Sequence, residues 1–186
     1  MNIGFAFCGS FCTFEQVFPV MEEIASQHTV IPIFSDTTYT TDSRFGTHQA
    51  NIDRVEEICR QKPLHTIPQV EPIGPKKLLD ALIIAPCTGN TIAKLANGIA
   101  DTPVTMAAKS HLRNARPIIV AVSTNDALAG AAENIGKLLN RKHYFFVPFG
   151  QDNPDSKPTS MVADFNLLPD TLNAALQGKQ IQPIIL

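Results

Sequence analysis

The run Leu82-Ile83-Ile84-Ala85-Pro86-Cys87-Thr88-Gly89-Asn90-Thr91-Ile92-Ala93-Lys94-Leu95-Ala96-Asn97-Gly98-Ile99-Ala100-Asp101 constrains this chain more than any other stretch. An apolar strand feeds a tight turn carrying Pro86, Thr88, Gly89 and Asn90. The turn opens a helix with Ile92, Leu95, Ala96 and Ile99 on one side. Strand, tight turn and amphipathic helix in that order put free backbone N–H groups and polar side chains at the carboxyl end of a strand. Open α/β sheets bind anions and ring systems at that place.

The rest of the chain repeats the alternation. Apolar runs predict strands at 2–7, 28–34, 81–85, 117–122 and 144–149, with Pro32 marking an unpaired backbone position in the second. Between them, Phe14, Val17, Phe18, Met21, Ile24 and Ala25 form one helical face. Thr13 and Gln16 stand at capping-box spacing before it, and Pro19 predicts a kink or an irregular first turn. Residues 35–46 read as a polar loop and 48–61 as a helix with Ile52, Val55, Ile58 and Cys59 inward. Pro63, Pro68, Pro72 and Pro75 then rule out a long helix, and 76–80 reads as a single helical turn. Further helices are predicted over 91–98, 104–112 and 169–176. A long Ala-rich helix is capped by Thr124 or Asn125, with Leu128, Ala131, Ala132, Ile135, Leu138 and Leu139 on its inner face. Residues 151–159 read as a polar loop. Strand and helix alternating from end to end predict a doubly wound, three-layer α/β sandwich with a mostly parallel sheet. No internal repeat or linker divides it, so 1–186 reads as one domain.

Composition narrows the class of function. A chain of 186 residues buries roughly 70% of its unfolded surface, which is enough for a full core. A net charge of −2 with no Lys/Arg cluster argues against nucleic acid. No apolar run reaches the ~18 residues a membrane span needs, and the first residues enter a strand with no basic segment of the signal-peptide kind. Cys8 and Cys12 are spaced C-x3-C without a His or Cys cluster, so reduced thiols of a cytoplasmic protein are expected rather than a metal site. The low charge content, 17%, suits a chain that covers part of its surface with copies of itself.

The polar residues at predicted strand ends are the candidate site. Gly9 and Ser10 follow strand one and suit a phosphate at a helix N-terminus, although the turn is no G-x-G-x-x-G fingerprint. A plain βα turn explains them equally. Ser35 and Thr37 follow strand two, where a solvated loop is the competing explanation. Pro86 stiffens the central turn, Thr88 offers a hydroxyl, and Asn90 an amide that both donates and accepts. Asn90 also suits a helix cap, and the two roles are compatible. Ser123, Thr124, Asn125 and Asp126 follow strand four, where capping accounts for them and a second role in the site stays open. Cys87 reads as a packed thiol. The loop from Val147 to Ser160 can act as a lid over a ligand at the sheet edge, with Lys157 and the loop's Ser and Thr hydroxyls able to neutralise a carboxylate; a surface connection to the last helix is the competing explanation.

The Pro86–Asp101 run resembles, nearly letter for letter, the Pro-x-Thr-x-Asn-Thr-x-x-Lys-x-Ala-x-Gly-x-x-Asp segment of the flavoprotein family. That family includes FMN-dependent cysteine decarboxylases and prenyl-FMN synthases. The resemblance implies a Rossmann-like flavoprotein fold and FMN held by Gly9, Ser10, Ser35, Thr37, Pro86, Thr88, Asn90 and Ser123. It also implies an active-site role for Asn90 and a homo-oligomer. In the decarboxylase members a catalytic His comes from about the place of His48, but the residues around His48 do not reproduce their pattern.

Gly9–Phe14, Arg44-Phe45-Gly46, Ser123–Leu128 and the stretch Pro148–Ser160 resemble one branch of the family in particular. Its members serve as the second subunit of a two-subunit synthase that aromatises a cyclic dihydro-dicarboxylate to pyridine-2,6-dicarboxylate in the mother cell of sporulating bacteria. That implies a partner A subunit of nicotinamide-binding Rossmann type, with NADP entering only through that partner. It also implies a small dicarboxylate substrate, for which the basic residues Arg44, Lys94, Arg113 and Lys157 are the candidates, Arg44 and Lys157 foremost. Two further readings stay open: an FMN-dependent decarboxylase, and a scaffold that activates the A subunit without chemistry of its own.

Overall fold

The computed structural model describes all residues, 1–186. Five parallel strands lie in the order β2-β1-β3-β4-β5: β1 (Asn2–Phe7), β2 (Thr29–Phe34), β3 (Ala81–Cys87), β4 (Ile118–Thr124) and β5 (Tyr144–Phe146). This order reverses direction between β1 and β3, and a crevice opens outside the carboxyl ends of the strands at such a point. Two short strands, β6 (Phe149–Gly150) and β7 (Met161–Ala163), extend the sheet. β7 pairs antiparallel with Ser123 and Thr124 at the far end of β4.

The strands follow from their side chains. Every residue of β3 is buried, as is all of β4 except Thr124, so helices must cover both faces of the sheet. On one side α1 (Phe14–Gln27) packs against α3 (His48–Cys59) and α8 (Leu168–Leu176). On the other, α5 (Gly89–Asn97) packs against α6 (Pro103–Leu112) and α7 (Ala132–Leu139). The predicted α/β sandwich is therefore present. The core runs through Phe5, Phe7, Phe18 and Phe34, with the Phe7 ring 5.1 Å from that of Phe14 and 5.5 Å from that of Phe34. No helix is long and apolar enough to cross a membrane.

Several local expectations are corrected. The segment after strand two holds the short helix α2 (Asp36–Thr40), and residues 76–80 hold no helix: 76 and 77 end a turn and the chain then runs irregularly into β3. The Ala-rich helix starts only at Ala132. Thr124 belongs to β4, Asn125 opens a run of turns, and Leu128 is exposed. Pairing of Ser123 and Thr124 with β7 holds the backbone extended where propensity alone favoured a cap. The predicted fifth strand breaks after Phe146, because Phe149 and Gly150 turn to pair with β7. Thr13 forms no capping box; its hydroxyl donates to the Ser10 carbonyl in a 3₁₀ turn that precedes α1. Pro19 sits inside a continuous α1 on its exposed side. Pro32 lies on edge strand β2, and its carbonyl accepts from Leu64 on the side away from β1. A residue's own N and C=O point the same way in a strand, so the missing N–H costs no bond to β1.

Candidate functional site

Three turns meet at the carboxyl ends of β1, β3 and β4 and form the floor of a cleft of about 730 Å³. Gly9 and Ser10 come from the first turn, Thr88, Gly89 and Asn90 from the second, and Ser123 to Asp126 from the third. Two loops supply the rim, one through Arg44 and Phe45, the other through Asp152, Lys157 and Ser160.

The floor is knitted by hydroxyls. Ser10 Oγ and Ser123 Oγ lie 2.7 Å apart. Thr88 caps α5: its Oγ1 accepts from the Thr91 N–H at 3.4 Å and donates to Thr91 Oγ1 at 3.2 Å. Thr91 Oγ1 in turn donates to Cys8 Sγ at 3.2 Å. The cap thus falls to Thr88, which leaves the Asn90 amide exposed on the cleft without an intramolecular partner. Thr124 Oγ1 donates to Asp126 Oδ1. A Cβ on Gly89 would lie 2.7 Å from Thr124 Oγ1 and 2.8 Å from Asp126 Oδ1, so this pair closes against bare backbone.

Charge on the rim is unevenly matched. Lys157 Nζ sits 3.2 Å from Asp152 Oδ2. Partial burial works to raise the Asp152 carboxyl, but hydrogen bonds from Ser160 and Lys157 outweigh it and hold the group below the usual range. Arg44 makes no ion pair, and its guanidinium lies 4.8 Å from the centre of the Phe45 ring. The loop between β6 and β7 is anchored at its far end, where Thr159 Oγ1 donates to the Asn125 carbonyl at 2.7 Å. Beneath the floor Cys87 is fully buried, and burial pushes its thiol well above the ordinary value, so it stays protonated and packed.

The structure brings together Gly9, Ser10, Thr88, Asn90, Ser123, Arg44 and Lys157. It keeps the other candidates off the cleft: Lys94 pairs with Asp101 at 2.8 Å, and Arg113 follows α6 away from it. Pro86, joined to Ala85 by a cis peptide bond, is buried behind the turn. Ser35 is taken up as the cap of α2: its Oγ accepts from the Thr38 N–H at 3.2 Å, while Thr38 Oγ1 donates to the Phe7 carbonyl. Thr37 packs its methyl behind Gly9, 3.2 Å from where a Cβ on that glycine would stand. His48 begins α3 and turns to Asp42, with Nδ1 and its backbone N–H 2.7 and 2.9 Å from Asp42 Oδ1. Those two bonds, the backbone one foremost, hold the Asp42 carboxyl low. The loop before α3 therefore delivers Arg44 and Phe45 to the cleft instead of His48. Sequence pattern alone assigns no role to Gly89 or Asp152. Gly89 has a signal, standing between the two polar residues of the motif turn, whereas Asp152, like Ser160, reaches the cleft only through the β6–β7 hairpin.

A doubly wound sheet with its polar cleft at the β1/β3 switch point is the architecture of nucleotide- and flavin-binding proteins. The flavoprotein family model matches residues 2–175, and the chain belongs to that family. Within it, the chain is 44% identical to the B subunit of dipicolinate synthase from Bacillus subtilis, over 99% of this chain and 92% of that one. The crystal structure of the corresponding dipicolinate synthase B subunit from Bacillus halodurans superposes with a TM-score of 0.91 at 43% identity, covering 100% of this chain and 95% of that one. Burkholderia xenovorans DmrB, solved in complex with FMN, shares the fold at a TM-score of 0.70 and 17% identity, with 95% of each chain covered.

Proposed function

We propose that the chain acts with a partner A subunit in the oxidation of dihydrodipicolinate to dipicolinate, in the mother-cell cytoplasm of a sporulating bacterium. The observation that carries this reading is the likeness to the dipicolinate synthase B subunit over nearly the whole chain, at 44% identity. The cleft agrees with it in chemistry. Arg44 and Lys157 face it from two separate loops, as two carboxylates on one small ring require. A dicarboxylate competes with Asp152 for Lys157 and meets an unpaired guanidinium at Arg44.

The residues present fit FMN. The turns at Gly9–Ser10 and Gly89–Asn90 line the floor, and the N-terminus of α5 offers free N–H groups. Ser10, Thr88, Asn90 and Ser123 supply hydroxyls and an amide, and the volume falls within the range of small-ligand sites. When bound, a flavin supplies a two-electron acceptor for ring aromatisation. This chain's own residues then bind and orient: Arg44 and Lys157 hold the substrate carboxylates, the Asn90 amide positions the ring, and the lid loop excludes water. No nicotinamide fingerprint stands in this chain, so NADP belongs to the partner. A homo-oligomer is also expected, and light scattering on the purified protein measures it.

The test is a titration of the purified protein with FMN, followed by visible absorbance, in the wild type and in Thr88→Ala and Asn90→Ala. Binding that is lost or weakened at least ~tenfold in the variants supports the flavin site. No binding by the wild type at high protein concentration refutes flavin chemistry and leaves the scaffold reading. Carbon dioxide release from a peptidyl cysteine separates the decarboxylase reading, and none is expected.

A further inference from the structure

Aromatising a dihydro ring takes a hydride from one saturated carbon and a proton from its neighbour. The hydride's two electrons pass to a flavin-class acceptor. The electron pair of the second C–H bond closes the last double bond of the ring, and a base must take the proton. Arg44 and Lys157 are cations, and the Asn90 amide is no base. The proton therefore needs another residue of the cleft.

The cleft is lined by no histidine and by two carboxylates, Asp126 and Asp152. They differ in what already engages them. Asp152 is paired with Lys157 Nζ and bonded by Ser160. Asp126 meets no cation. Its one side-chain partner is Thr124 Oγ1, which donates to Oδ1, and Oδ2 accepts from nothing within the chain.

The usual work of an Asp just past a strand is to accept an N–H of the turn with its side chain. Asp126 leaves that to its main-chain carbonyl, which takes the Ala129 and Ala131 N–H groups at 2.9 and 3.1 Å. No backbone N–H reaches either carboxylate oxygen. The turn holds the Asp126 backbone, Thr124 fixes one oxygen, and the absence of a Cβ on Gly89, which would lie 2.8 Å from Oδ1, gives the pair its place. What remains is a half-buried carboxylate with one free oxygen on the floor of the cleft, below the rim that carries Arg44 and Lys157.

We propose that Asp126 Oδ2 accepts the ring proton in the oxidation assigned to this cleft, an inference that rests on that assignment. Cations on the rim and a carboxylate on the floor orient a dicarboxylate one way, with its acid groups at the rim and its ring toward Asp126.

The test measures oxidation of dihydrodipicolinate by the complex with the A subunit. Asp126→Asn is isosteric and keeps an oxygen for Thr124. Its kcat should fall at least ~100-fold, with KM changed less than ~threefold. Asp126→Ala should be as slow, and added formate should restore its rate at least ~tenfold by taking the proton in the vacated space, with no gain in Asp126→Asn. Circular dichroism checks that both variants fold. Calorimetry with pyridine-2,6-dicarboxylate needs no turnover. Asp126→Asn should bind it as tightly as the wild type or more tightly, since a like charge is gone, whereas loss of a structural carboxylate would weaken it. Full activity in Asp126→Asn, dicarboxylate binding weakened in step with turnover, or no rescue by formate each overturns the proposal, while wild-type activity upholds the assignment of the cleft. A wild-type complex inactive on dihydrodipicolinate overturns both.

Discussion

Ser10 and Ser123, 113 residues apart in the chain, share a hydrogen bond of 2.7 Å between their Oγ atoms across the floor of the cleft. The bond ties the turn after β1 to the end of β4, over β3, which lies between them in the sheet. A neutral hydrogen bond of this kind contributes about 1 kcal/mol net. A double-mutant cycle with Ser10→Ala and Ser123→Ala, read by urea unfolding, should return a coupling of about that size. Additive effects within error would mean that the two hydroxyls stabilise nothing together.

Gly89 is needed by the cleft more than by the fold. A Cβ there would meet the ends of two side chains, Thr124 and Asp126, which can move aside. Gly89→Ala should shift the melting temperature by only a few degrees, since about 1 kcal/mol moves Tm by ~2–4 °C in a domain of this size. The same change should weaken FMN binding at least ~tenfold by displacing the Thr124–Asp126 pair. Unchanged FMN affinity would place the cofactor elsewhere.

Gly74 is needed by the fold. A Cβ there would stand 2.3 Å from the Ser110 carbonyl oxygen, and the Gly74 N–H already donates to Ser110 Oγ at 2.8 Å. Backbone cannot rotate away, so Gly74→Ala should cost about 2–4 kcal/mol in urea unfolding, within the range of severe overpacking. Gly136, inside α7, has nothing within 4 Å of the corresponding position. Gly136→Ala should stabilise the protein by about 0.5–1 kcal/mol. The opposite signs of the two changes are the prediction.

His111 makes stability depend on pH. Its Nε2 lies 3.1 Å from the Pro117 carbonyl, and Nδ1 is buried with no partner. Burial pushes the ring's pKa from 6.5 down to about 4. The unfolded chain therefore binds the proton more readily than the folded one. Stability from this group is complete above about pH 6.5 and drains away as pH falls toward 4, by about 3 kcal/mol in all. Urea unfolding at pH 7.5, 5.5 and 4.5 should show that slope in the wild type and a flatter one in His111→Gln. Parallel slopes would sink the idea.

Much of this molecule was legible from local pattern. The apolar run at 82–85 could only be a buried strand, and Ile92, Leu95 and Ala96 could only face inward from the helix that follows. Those readings rest on periodicity within a dozen residues, and burial enforces them. Asn90 in its turn was legible for the same reason, although its freedom to face a ligand depends on Thr88 taking the cap. The misjudged segments depended on distant partners. The stretch after Thr124 or Asn125 reads as a capped helix, yet the β4–β7 pairing of Ser123 with Val162 and Thr124 with Met161 holds the chain extended before it turns.

The sequence by itself determined the alternating α/β order, the strand–turn–helix at 82–101 and the family, because these live in short-range pattern and in the letters of one motif. Tertiary structure alone decided which polar residues share a cleft. Ser35 was taken by its own helix cap and His48 by Asp42, while Asp152, Lys157 and Ser160 were carried in on an antiparallel hairpin from the other end of the chain. The physical reason is that a polar side chain bonds the nearest available partner. Which partner is nearest is set by strand order and loop path, and these depend on contacts that no local window contains.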